Sequence, residues 1–257
     1  VTLTSSSATG NQWYVGGVLI GGATSQNYSA TATGNYTVVV TTSGCSSVAS
    51  NATSVTVNPA PSTPTISTGG ATTLCTGGSV TLTSSSATGN QWYVGGVLIG
   101  TATSQNYSAT ATGNYTVVVT TSGCSSVASN ATSVTVNPIP STPTISTGGA
   151  TTFCNGGSVT LTSSSATGNQ WYVGGVLIGG ATSQNYSATA TGNYTVVVTT
   201  NGCSSVASNA TSVTVNPTPS TPTISAGGTT TLCGGGSVTL TSSSATGNQW
   251  YVGGVLI

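Results

Sequence analysis

Apolar and polar residues alternate along this chain with a period of two. Val80 and Leu82 alternate with Thr81 and Thr83, the pattern of a strand with one buried face. Residues 91–94 (Gln-Trp-Tyr-Val), the pair Gly95-Gly96 and residues 97–99 (Val-Leu-Ile) predict a hairpin, because paired glycines supply the positive φ of a tight turn. Residues 104–109 predict a short strand and residues 114–120 a strong one. Residues 131–137 predict another, with Val134 and Val136 on one face. Residues 143–146 predict the short first strand of the next unit. No window shows the helical period of about 3.6. Six to eight short strands between Gly, Ser and Asn turns indicate an all-β protein built as a β-sandwich.

The pattern then repeats. The segment VTLTSSSATGNQWYVGGVLI starts at Val1, Val80, Val159 and Val238, at the same spacing each time. A period of about 79 residues is too long for most solenoids and suits one small domain per repeat. Prolines mark the boundaries. Residues 58–64 (Asn-Pro-Ala-Pro-Ser-Thr-Pro) recur at 137–143 and 216–222, and closely spaced prolines favour extended, semi-rigid linkers. The predicted units are a partial repeat over 1–59, complete repeats over 60–138 and 139–217, and a partial repeat over 218–257. The chain starts and stops within a unit, which suggests a segment of a longer array.

Composition narrows the function. None of the 257 residues is Asp, Glu, Lys, Arg or His, against about 25% charged residues in an ordinary soluble chain. General acid–base catalysis needs a group that titrates near working pH, and a Cys nucleophile needs an activating base or cation. Neither is available, so no enzyme and no catalytic residue is expected. Calcium and magnesium sites use carboxylates and zinc sites use clustered Cys and His, so no metal or cofactor site is expected. Nucleic-acid binding draws on Lys and Arg and is not expected. There is no apolar run of about 20 residues to span a membrane.

The order of features resembles an immunoglobulin-like sandwich. Trp92 falls where the buried strand-C tryptophan of that fold belongs, and Trp13, Trp171 and Trp250 are its counterparts. Residues 111–115 (Ala-Thr-Gly-Asn-Tyr) resemble the tyrosine corner, making Tyr115 a core residue together with Tyr36 and Tyr194. Ser84 and Val117 stand where the usual inter-sheet cysteines would be. The pattern that starts at Cys75 with residues 77–83 (Gly-Gly-Ser-Val-Thr-Leu-Thr) continues through residues 91–93, residues 113–119 and Gly123-Cys124. It resembles the bacterial Ig-like repeats of giant surface proteins and gliding-type adhesins exported by the type IX pathway. The resemblance covers nearly the whole chain and implies a tandem array of Ig-like domains, extracellular and on the cell surface.

Regular cysteines in a repetitive, secreted chain suggest disulfides. Each complete unit has two, Cys75 with Cys124 and Cys154 with Cys203; Cys45 and Cys233 belong to the partial units. Pairing within a unit, Cys75–Cys124 and Cys154–Cys203, would close loops of about 50 residues, each stabilising by about 3–4 kcal/mol. The Ig-like reading opens an alternative. It puts Cys75 and Cys124 at opposite ends of the sandwich, roughly 20 Å apart for strands of about seven residues, whereas a disulfide needs Cα atoms within about 7 Å. In a head-to-tail array the end of one domain faces the start of the next, so a Cys75–Cys203 bridge would staple consecutive domains. Asn106, Asn114 and Asn130 head Asn-x-Ser/Thr sequons and are candidate glycosylation sites. The expected role is a charge-free stalk or filament segment of a long surface adhesin. Two alternatives are repeats that bind surface glycans through exposed aromatic and hydroxyl groups, and lateral self-assembly into a fibre or sheath. The expected partners are neighbouring repeats, with other copies of the chain and surface glycans as candidates.

Overall fold

A computed structural model describes residues 1–257. The chain is built from strands, with no helix, and so none long and apolar enough to cross a membrane. It divides into two compact units, Val1–Pro138 and Ile139–Ile257.

Within Val1–Pro138 the complete repeat folds as two sheets over one core. The smaller sheet sets Val80–Ser84 between Ile66–Thr68 and Asn106–Ala109, all antiparallel. The larger sheet runs Val97–Leu98, Asn90–Val94, Gly113–Thr121, Thr132–Asn137, Thr73–Cys75, and Cys124–Ser125 turns back on the end of Gly113–Thr121. Alternation places the apolar side chains between the sheets. Val80, Leu82, Trp92, Ala109, Tyr115, Val117 and Val134 form the core, with Ile66, Leu74, Val94 and Val136 packed against it. The predicted hairpin is present, and Gly95 and Gly96 both have positive φ, 56° and 79°. The strand predicted over 114–120 is longer and runs from Gly113 to Thr121.

Two elements escaped the sequence reading. Thr73–Cys75 pairs in parallel with Thr132–Asn137, bringing Cys75 beside Asn137. Cys124–Ser125 forms a tight hairpin with Thr120 and Thr121. The partial repeat at the start of this unit has the same larger-sheet order, with Asn11–Val15 between Val18–Leu19 and Gly34–Thr42.

Ile139–Ile257 contains the second complete repeat with the same strand order and an equivalent core of Val159, Leu161, Trp171, Ala188, Tyr194, Val196 and Val213. Its last segment forms only two small pairings, Ile224–Ala226 with Leu240–Ser242 and Tyr251–Val252 with Val255–Leu256. Trp250, expected in a core, is therefore only half-buried. Residue 257 precedes any counterpart of Tyr107 and Val117, which cover Trp92 in the complete repeat.

Candidate functional site

The four tryptophans are the natural candidates for sugar stacking. Trp92 and Trp171 are fully enclosed, 0% exposed, and Trp13 is buried at 4%. These three offer no ring face to a ligand. Each is locked by its indole N–H: Trp92 Nε1 donates to the Ser104 carbonyl at 2.9 Å, Trp171 Nε1 to Ser183 and Trp13 Nε1 to Ser25 at the same distance. A tyrosine stacks on each, with ring centroids 5.8 Å apart for Trp92 and Tyr107. Tyr107 leads on to Tyr115 at 5.6 Å. This middle ring was missed in the sequence, although Tyr107 sits opposite the core residue Leu82.

Tyr36, Tyr115 and Tyr194 are buried, as the corner motif implied. Each hydroxyl donates to the carbonyl of an alanine just upstream, Tyr115 to Ala111 at 2.8 Å. Burial raises the phenols of Tyr115 and Tyr194 above their ordinary value, and the neighbouring rings of Tyr107 and Tyr186 add to the shift. The unfolded chain therefore releases these protons first, near pH 10. Their contribution to stability is complete below about pH 10 and is lost as pH rises toward the higher folded values. No Asp, Glu or His is present to titrate between pH 4 and 7, and no charged side chain is available for salt to screen. The melting temperature is expected to stay flat from pH 4 to 7 and from low to high salt, then to fall above about pH 10. Thermal melts followed by circular dichroism check this. A shift of several degrees between pH 4 and 7 would contradict it.

The cysteines occupy opposite ends of each sandwich. Cys75 is level with Asn137, and Cys124 is level with Thr121. Gly113 lies opposite Val134, so Asn137 falls at the level of residue 110. The extended chain from that level to Thr121 spans about 36 Å, at roughly 3.3 Å per residue. The Cys75–Cys124 pairing is accordingly not formed, and Cys124 is a free thiol. The second repeat has the same register, with Cys154 opposite Asn216 and Cys203 opposite Thr200. Cys154 is a free thiol, so Cys154–Cys203 is not formed either. Cys45 and Cys233 are also free. Cys75 and Cys203 are not free thiols.

Within Val1–Pro138 the end of one repeat meets the hairpin tip of the next. Asn58 Nδ2 donates to the Ser122 carbonyl at 3.0 Å, and Cys124 Sγ donates to the Asn58 carbonyl at 3.4 Å. Ser122 takes a left-handed φ of 51° at this tip; its counterpart is Asn201, a residue better suited to that conformation. Asn106, Asn114 and Asn130 are all exposed. No three His, Cys, Asp or Glu side chains come together. A shallow hollow of about 320 Å³ lies beside the proline linker, lined by Pro61, Ser62, Pro64, Ser85, Val119 and Thr121.

The family model described as "Ig-like domain CHU_C associated" matches residues 61–138 and again residues 140–217. No curated protein matches the chain.

Proposed function

The chain belongs to the CHU_C-associated Ig-like domain family, and from that premise we propose that it is a stalk segment of a long extracellular surface adhesin. Tandem Ig-like domains make it a structural repeat region. In this reading the repeats act on no substrate and hold a terminal binding region away from the cell. The observation that carries the reading is the junction inside Val1–Pro138, where Asn58 ends one repeat and bonds to Ser122 and Cys124 of the next. Such a repeat is built to be continued by another.

The same reading joins Cys75 to Cys203. Shifting the Asn58–Cys124 contact by one period puts Asn137 in the role of Asn58 and Cys203 in that of Cys124. Cys75 is the register partner of Asn137. Forming the bond removes two protons and two electrons from the thiols, delivered to a thiol–disulfide oxidant of the export route.

Glycan arrays and surface-adhesion assays on the 257-residue chain are expected to show no selective binding. Saturable binding at micromolar concentration overturns the spacer reading and favours the hollow beside Pro61 as a glycan site. The connectivity is read by non-reducing peptide mapping. Trypsin finds no Lys or Arg, so chymotrypsin is the protease. A peptide joining Cys75 to Cys203 is expected, and one joining Cys75 to Cys124 overturns the staple. Lateral self-association is a second reading, favoured by Val97 and Leu98, 68% and 54% exposed on an edge strand of the larger sheet. Bundles rather than single threads in negative stain would support it.

A further inference from the structure

We infer that the cysteine staple makes the repeat array nearly inextensible, so that unfolding its domains under load adds little length. This rests on the Cys75–Cys203 pairing proposed above.

The inference follows from where the cysteines lie along the covalent path. An ordinary tandem domain lengthens on unfolding because its whole chain enters the line of force. Here a Cys75–Cys203 bond bypasses everything from position 76 to position 202. The bypassed loop contains the first Trp-centred core whole and nearly all of the second: Val80, Trp92, Tyr115, Val134, Trp171 and Tyr194 fall inside it, and of the buried core residues Val213 alone lies beyond Cys203. From Cys203 the chain runs on through the proline linker to Cys233, which holds the position of Cys75 two periods later. An array that continues the same period would repeat this route: one sulfur bridge, then the stretch equivalent to 204–233, then the next bridge. Of every two repeats, only that one stretch lies on the shortest covalent path.

Fully extended chain spans at most about 3.5 Å per residue. The stretch equivalent to 204–233 and one bridge therefore reach roughly 110 Å, whereas two unstapled repeats would reach about 550 Å. In such an array Cys124 and Cys154, free thiols in this chain, would bridge to the cysteines of further repeats and supply a second path of the same length. Both paths use the segment from the later cysteine of one repeat to the earlier cysteine of the next. That segment holds the last strand, the proline linker and the first strands, Thr53–Val55 and Ile66–Thr68 in the case of Cys45 to Cys75. The strands from Val80 to Thr121 hang between the two paths as rungs.

Single-molecule stretching of the 257-residue chain, held at its two termini, tests this. In the oxidised chain only the stretches 1–75 and 203–257 can extend. The fully stretched length is then about 460 Å. Dithiothreitol donates two electrons and two protons, converts the disulfide to two thiols and releases the loop. The length is expected to rise about twofold, to roughly 900 Å. The double variant Cys75→Ser, Cys203→Ser should reach the longer length without reductant. A rise of only about 1.6-fold would mean loops closed within repeats and overturns both the staple and this inference. An unchanged length overturns the inference alone when mapping has found the Cys75–Cys203 peptide. Glycan binding leaves it untouched, since that bears on the spacer reading.

Discussion

Replacing Trp92 with alanine is expected to lower the melting temperature of its own repeat sharply. The indole is 0% exposed and is the largest member of a small core of buried apolar side chains. Removing a buried Trp in this way costs about 3–5 kcal/mol, through lost burial and the cavity left behind. The Ser104 carbonyl also loses the indole N–H, its partner at 2.9 Å, a hydrogen bond that contributes about 1 kcal/mol net. A domain of this size is stable by roughly 4–12 kcal/mol, at the usual stability of about 0.05–0.15 kcal/mol per residue. One substitution therefore removes a third or more of the total. The repeat over 139–217 has its own core around Trp171, so its transition should stay in place. Calorimetry of the Trp92→Ala chain should split one melting transition into two. A loss under about 1 kcal/mol, well short of the usual cost of emptying a core site, would mean that Trp92 is not the centre of the core.

The sandwich was legible because its signals are local. Alternation in residues 80–84, the Gly95-Gly96 turn and the tyrosine corner each depend on a few neighbouring residues, and each formed as read. What the sequence hid was non-local or short. Thr73–Cys75 is a very short strand held by a parallel partner, Thr132–Asn137, at the far end of the repeat, with no alternation of its own to announce it. The Cys124–Ser125 hairpin turns on Ser122, an unusual residue for a left-handed position. The Asn201-Gly202 pair at the same place in the next repeat is the stronger signal. These two elements decide the cysteine chemistry. Strands of about seven residues put the two cysteines of a unit roughly 20 Å apart, and pairing within a unit still competed. Strand Gly113–Thr121 is longer, and the two missed elements place Cys75 beyond one end of it and Cys124 level with the other, widening the gap to about 36 Å. The aromatic stack was half legible for a similar reason. Trp92 and Tyr115 sit in recognisable motifs, whereas Tyr107 joins them only through pairing across the smaller sheet.

Gly89→Ala is expected to destabilise the repeat by about 2–3 kcal/mol, beyond an ordinary turn glycine. Gly89 has φ +74°, where an L side chain costs about 1–2 kcal/mol. Space adds a second obstacle. A Cβ here would press into the Thr120 carbonyl oxygen and lie 3.3 Å from its carbon, and both atoms are backbone in the central strand of the larger sheet. The two chains are this close because Thr120 N–H donates to the Gly89 carbonyl at 2.9 Å. Relieving the clash means parting them and giving up that bond, a further loss of about 1 kcal/mol. Gly96 supplies the control. It has nearly the same φ, +79°, but a Cβ there meets nothing within 4 Å, so Gly96→Ala should cost only about 1 kcal/mol. Chemical denaturation of the two variants measures the difference, and equal losses would show that the close approach at Thr120 relaxes freely. The displaced residue also bears on the junction. Thr120 and Thr121 carry the hairpin that presents Cys124 to Asn58, and Thr199 and Thr200 carry Cys203 in the same way beside Gly168. Gly168→Ala should therefore slow oxidation of Cys203 as well as lower stability, an outcome that Gly175→Ala, in the open turn, should not share.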